Sequence, residues 1–400
     1  MFKKISLLFF ISFILINCSG SGDDNVDDNQ LLSYDRSKML IHWADKIIIP
    51  AHTAFKETLT NLDNSTTNFV ASPNQTNLDD LRSKWLISYK SWQHIEMFDI
   101  GKAEEIYFKS KMNVYPIDKT WLNNNIEKGS YDLESPNNYS SQGFPALDYM
   151  LYGIGLDDVS ILNKYTKNTN YTNYLTALVN KMVSGTDIVI NDWTAYRTTF
   201  INSFENTASS SVNLLTNDFI YYYEKGLRAN KVGIPAGVFS GGPLNGNVES
   251  FYKKDISKDL LLEALGATIK FFNGTSYDGL SSGPSLKSYL SHLNSNKEGS
   301  SLDSEITVKL NSALTQVNSL SNNFVIQIES DNSKLLVTYD ALQARLDLTL
   351  PYCSKRLVLD PLMSTISINV NSLSSSKTFT NGSLYLAVTF QSIALTSSPN

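Results

Sequence analysis

The sequence predicts an all-α protein of two helical bundles in series, and three observations carry that expectation. Apolar residues recur at steps of three and four from Leu40 to Leu62, again from Leu78 to Trp92, and through most of 171–231 and 248–349. That is the spacing of a helix with one buried face. The 400 residues exceed what one ordinary bundle uses, at roughly 150 residues per domain. Finally, the stretch VGIPAGVFSGGPLNGN at 232–247 is dense in glycine and proline, which marks a break between the two halves.

In the first bundle the stripe Leu40, Trp43, Ile47, Ala51, Phe55, Leu59, Leu62 defines an amphipathic helix. Pro50 lies within it, lacks a backbone donor and crowds the preceding turn, so a kink or break is expected between Lys46 and Pro50. A second helix follows Pro73 and Asn77 with the stripe Leu78, Leu81, Trp85, Tyr89, Trp92. Four residues further on the stripe lands on Glu96. A carboxylate on an aromatic core face is costly unless it finds a donor, a cation or a proton, which makes Glu96 a candidate site residue. His94, about 200° round the helix from Trp92, is expected to face water.

The stretch 100–142 reads as loop, with Pro116, Gly129 and Pro136 as punctuation. Gly143-Phe144-Pro145 opens a helix whose inner side is Leu147, Leu151 and Ile154. Helices over 171–204 and 209–231 complete a first domain spanning 34–235, and 236–247 is its linker to a second domain at 248–360. There, helices are expected at 248–272, 284–293, 302–328 and 333–349, with a Gly/Ser loop at 273–283. The tail 361–400 carries one charge, Lys377, and reads as β-type or irregular, so its place in the fold stays open.

The chain's start concerns location. Lys3 and Lys4, the apolar run Leu7 to Ile16 and then Leu15-Ile16-Asn17-Cys18-Ser19 resemble a bacterial lipoprotein signal peptide over 1–17 with its lipobox. The expected mature protein is a lipoprotein of the outer membrane, tethered through a lipid on Cys18 and an acidic segment at 18–33. The aspartates behind Cys18 resemble the surface-export signal of Bacteroidetes lipoproteins, so either side of that membrane is open. Cys353 is then the remaining thiol, and no intramolecular disulfide is expected. Formal charge is −6 without a Lys/Arg-rich block, which argues against nucleic acid as a partner.

His42-Trp43-Ala44-Asp45-Lys46-Ile47-Ile48-Ile49-Pro50-Ala51 with Phe55, the spacing from Trp85 to Gly101, Gly143 to Gly153, Tyr222 to Pro235 and Phe271-Phe272-Asn273-Gly274 together resemble the imelysin family over about 34–350. The resemblance implies two four-helix-bundle-like domains from an internal duplication, a site near their interface and an association with iron uptake. It also implies peptidase activity, since the first members were described as insulin-cleaving proteases. The family's Gly-x-His-x-x-Glu signature falls on Gly143-Phe144-Pro145-Ala146-Leu147-Asp148, so proline replaces the histidine and aspartate the glutamate. Proline offers a metal nothing, and a catalytic zinc needs about three protein ligands and a water.

The candidate site is therefore Glu96 and Asp148, converging in a pocket lined by Trp92, Gly143, Tyr149 and Tyr152 with Arg228 as counter-charge. Oxygen donors would suit ferric iron or calcium, and arginine an anionic ligand. The helix macrodipole alone could also explain an acid at Asp148. The expected function is a non-catalytic, lipid-anchored binding protein in iron or other nutrient acquisition. The alternatives are a metallopeptidase and an adhesin that docks another envelope protein.

Overall fold

The computed structural model describes residues 34–343 apart from 206, 294–295 and 298–299. The segments read as a signal peptide (1–17) and an acidic tether (18–33), with Cys18, and also Cys353 and the tail at 361–400, lie outside the described residues.

The described chain is helical throughout, save for paired two-residue strands at Asn296–Lys297 and Ser300–Ser301. In order, α1 is Arg36–His42, α2 Ile49–Ala71, α3 Gln75–Trp92, α4 Lys102–Glu105, α5 Phe108–Met112, α6 Lys119–Lys128, α7 Gly143–Tyr152, α8 Asp158–Lys167 and α9 Thr169–Asn202. Then follow α10 Ser211–Tyr221, α11 Ile234–Ala236, α12 Ser257–Asn273, α13 Leu286–His292, α14 Leu302–Asn318, α15 Phe324–Asp331 and α16 Ser333–Leu342. Helix α2 packs between α3 and α9, and α7 packs on α3 and α9. A second group consists of α12, α14, α16 and the wide helix at Tyr222–Gly233, and it meets the first where α12 packs on α3.

The core at the meeting of α2, α3 and α7 is aromatic. Phe55, Trp85, Tyr89, Trp92 and Phe144 are fully or nearly fully buried. The rings of Tyr89 and Phe144 stack in parallel with centroids 4.5 Å apart.

Two segments, Trp43–Ile48 and Tyr222–Gly233, are wound as π-helix, and each runs into Ile-Pro-Ala, at 49–51 and at 234–236. In both the isoleucine N–H bonds five residues back, to Ala44 and to Ala229. The break expected near Pro50 thus takes the form of a change of winding. Pro50 has no N–H to give Lys46 four residues earlier, and that carbonyl accepts the N–H of Tyr277 at 2.8 Å, from the loop after α12.

Several expectations need correction. Residues 100–142 hold three short α-helices and a 3-10 helix at Pro136–Ser141. Residues 248–256 form a loop, with Ser250 and Lys254 at positive φ, and α12 starts only at Ser257. The helix expected over 302–328 stops at Asn318 and restarts at Phe324, where Asn323 caps it. His94 lies past the end of α3 and turns inward: its Nε2 is 3.1 Å from Glu263 Oε2 on α12 and its ring meets Tyr277 edge-on.

Gly143 opens α7 at φ 75°, and a Cβ there would sit 2.2 Å from the carbonyl oxygen of Met112. Gly143→Ala combines left-handed strain with a backbone clash and should lower stability by at least about 2 kcal/mol in urea denaturation. An unchanged midpoint would show that α7 does not seat against α5 in this way.

Candidate functional site

A cluster of buried polar groups lies where α3 ends, between the π-wound segment and the loop before α12. Lys231, 2% exposed, sends its Nζ to Gln93 Oε1 at 2.7 Å and to both Glu249 oxygens at 2.9 and 2.7 Å. Glu96 Oε2 is 3.5 Å away. Asn113 bridges the two acids, its Nδ2 donating to Glu249 Oε1 at 2.9 Å and Glu96 Oε1 at 3.1 Å. The Tyr222 hydroxyl donates to Glu96 Oε2 at 3.4 Å, and Tyr89 Oη lies 2.7 Å from Asn113 Oδ1 and 3.1 Å from Glu249 Oε1.

Burial pulls the Lys231 ammonium down, but the facing carboxylates of Glu249 and Glu96 more than reverse this and hold it above its usual value. The same burial, reinforced by these acids, keeps Tyr89, Tyr115 and Tyr222 protonated well beyond the ordinary tyrosine range. The cluster is a set of buried charges neutralised from within.

The winding of the helix makes this geometry possible. At about 100° per residue an α-helix would set Tyr222 and Lys231 roughly half a turn apart, on opposite faces. The i→i+5 wind is wider, and both side chains reach Glu96.

Asp148, on α7, is 1% exposed. Its Oδ2 accepts the N–H of Tyr252 and its Oδ1 that of Lys253, both at 2.8 Å. The strained backbone of loop 248–256 presents these two amides. Gly153 lets the loop close in, since a Cβ there would meet the Tyr252 ring at 2.4 Å. Burial dominates the two backbone hydrogen bonds, the charge of Lys253 and the Ser250 hydroxyl, and pushes the Asp148 carboxyl up to about 7. No ion pair reaches Asp148 among the described residues, and the ammonium of Lys253 lies 5.7 Å over the ring of Tyr152. Asp148 faces a cavity of about 250 Å³, whose wall also includes Tyr115, Pro145, Ser250, Phe251 and Tyr252.

The structure distributes the expected site residues as follows. Glu96 and Asp148 are both buried and both act on Tyr89, but no hydrogen bond joins them, and Glu96 is committed to Lys231, Asn113 and Tyr222. Arg228 is not their counter-charge: it pairs with Glu224 at 2.8 Å and stacks 3.9 Å over Tyr339. Lys231, three residues on, takes that role for Glu96. Trp92 is core, packed on Phe55, Phe108 and Phe144, and Tyr152 lies beneath Arg82. Tyr149 supports Tyr252 from behind, at 4.9 Å, and Gly143 shapes the start of α7.

These residues do not fit a resident metal ion. Pro145 has no lone pair to give, the acids Glu96 and Glu249 already hold an ammonium, and Asp148 stands as a single carboxylate. Among the described residues no group of three His, Cys, Asp or Glu is placed to hold a metal. The iron or calcium ion expected from the pairing of Glu96 and Asp148 therefore lacks its cage.

Comparison with known proteins agrees with this frame. The family model described as Imelysin, peptidase family M75, matches residues 48–349. The iron-regulated protein A of Synechococcus elongatus is 22% identical over 247 residues, 60% of this chain; the chain spans 65% of that relative's length. A crystal structure from Parabacteroides distasonis, described as an iron-regulated protein A precursor, superposes with a TM-score of 0.63 at 17% identity, covering 77% of this chain and 91% of that one. An imelysin-like protein from Psychrobacter arcticum gives 0.62 at 17% identity, covering 81% and 96%.

The Asp148 carboxyl makes a signed prediction. Folded, it keeps its proton up to about 7; unfolded, it loses it near the ordinary value of 3.8, so its contribution to stability falls as pH rises from about 4 to about 7. His52, buried and pulled down to about 4, has the opposite slope over part of that range, and Asp218, raised to about 7, the same one. Comparing wild type with Asp148→Asn isolates the group: the variant should gain relative stability across that range in urea melts. Parallel pH profiles would contradict the assignment.

Proposed function

The chain belongs to the imelysin family, and from that membership we propose that it is a lipid-anchored protein of the cell envelope that holds a small ligand in iron or other nutrient acquisition, without cleaving bonds. One observation carries the reading: of the three buried acids that act on Tyr89, Glu96 and Glu249 are neutralised by Lys231, while Asp148 is left facing a cavity. The first two are spent on structure and the third is available to an occupant.

The names of the relatives support a link to iron supply, and the segment ending at Cys18 supports the anchor. In this reading the anchor places the protein at the outer membrane; no described helix is long and apolar enough to cross a membrane. The second reading, peptidase, rests on the family's description. It lacks support in the geometry: activating water on a metal needs a ligand set, and the acids that could serve are paired.

Three measurements test the proposal. Native mass spectrometry of the mature protein from iron-limited cells should show a stoichiometric small-molecule adduct that denaturation releases. Casein incubated with the protein, with and without zinc, should stay intact; chelator-sensitive fragments would establish the peptidase instead. Cys18→Ser should abolish incorporation of labelled fatty acid, and retained label would refute the anchor.

A further inference from the structure

The ligand-holding reading leaves open what the cavity holds, and its wall combines an acid, a hydroxyl and an ammonium with apolar groups. Asp148 lines it, buried and without an ion-pair partner among the described residues. Beside it Ser250, 2% exposed, turns its hydroxyl toward Asp148, close enough to favour the ionised carboxylate. A carboxylate has about four lone-pair sites; the two amides use two and the Ser250 hydroxyl bears on a third, so Asp148 can still accept from an occupant. The Ser250 oxygen can accept one more bond. Ile117 and Lys119 also line it, on either side of Asp118, the residue that caps α6. Lys119 brings an ammonium favourable to an anion, while the start of α6 is already met by the Asp118 carboxylate, which accepts the Trp121 N–H. Much of the remaining wall is apolar or aromatic: Pro116, Pro145, Phe251 and Tyr252.

We propose that this cavity binds a small zwitterion with an apolar side chain, a free amino acid or a dipeptide, its ammonium on Asp148 and Ser250 and its carboxylate toward Lys119. An ammonium supplies the charge that Asp148 lacks, as charge-assisted hydrogen bonds inside the protein. A metal ion would satisfy the charge but leave the apolar wall uncovered and lack further ligands. A purely anionic ligand would set its charge against Asp148. Size agrees: about 250 Å³, at roughly 30 Å³ per water, is the space of some eight waters, enough for one or two small residues and too little for a folded chain.

The proposal rests on the ligand-holding reading, and the test separates the two. Calorimetry on the mature protein would use leucine and Gly-Leu as probes, with leucinamide lacking the carboxylate, 4-methylpentanoate lacking the ammonium, and calcium and manganese alone. One-to-one binding of a zwitterion is expected, at least about tenfold tighter than that of either half-molecule. Asp148→Asn should weaken the zwitterion about tenfold or more. Lys119→Ala, at an exposed position, should erase the preference for leucine over leucinamide even if the Asp148 variant folds poorly. Equal binding of leucinamide, an unaffected Lys119→Ala variant, or binding of metal alone would overturn the zwitterion. If none of these probes binds but native mass spectrometry shows another small molecule, the zwitterion falls and the ligand-holding reading stands. If neither method finds an occupant, both fall.

Discussion

The architecture around the site depends on one buried ammonium. Lys231 sits among Glu249, Glu96 and Gln93, which come from the loop before α12 and from the end of α3. Three chain segments meet at a single charge. Taking these ions out of water is expensive, and the arrangement holds only because nearly every lone pair and proton in it is met, with Asn113, Tyr89 and Tyr222 completing the set. Such a cluster adds little net stability compared with apolar packing. What it imposes is register: Lys231 reaches both acids only if the helix bearing it is wound and placed as observed.

That winding ties the cluster to the rest of the fold. Both π-wound segments run into Ile-Pro-Ala, and in both the ring of proline removes the donor that would keep α-helical spacing going. The first occurrence frees the Lys46 carbonyl for Tyr277, which also packs on His94. The second brings Tyr222 and Lys231 to one side. With the acids behind Tyr89 neutralised in this way, the amides of Tyr252 and Lys253 turn toward Asp148 and form the wall of the cavity. Structure and binding thus use different carboxylates.

Much of this was legible in the sequence where helices bury one face. The stripes from Leu40 and Leu78 correspond to real helices, and extending the second one places Glu96 in the interior although α3 itself ends at Trp92. The family pattern around Gly143 and Asp148 led to the helix that borders the cavity. Sequence reasoning failed where backbone geometry departs from standard periods. Helical spacing continued through 248–256 hides a loop, and with it Glu249, because apolar residues in a buried loop mimic a stripe. Lys231 and Arg228 exchange roles because 100° steps misplace side chains in a π-wound helix. The inward turn of His94 depends on Glu263 and Tyr277, partners about 170 residues away that no local pattern reveals. The one signal available was the repeated Ile-Pro-Ala, which marks both changes of winding.

The most direct test of the account is a double-mutant cycle on the central ion pair, read by urea denaturation at neutral pH. If Lys231 neutralises Glu249 in a dry interior, Lys231→Met and Glu249→Gln should each cost about 3–5 kcal/mol. Because each single change strands the other partner, the double variant should lose far less than their sum, leaving a coupling of about 2 kcal/mol or more. Additive losses, or single variants as stable as wild type, would mean that the ammonium and the carboxylate do not hold these segments together.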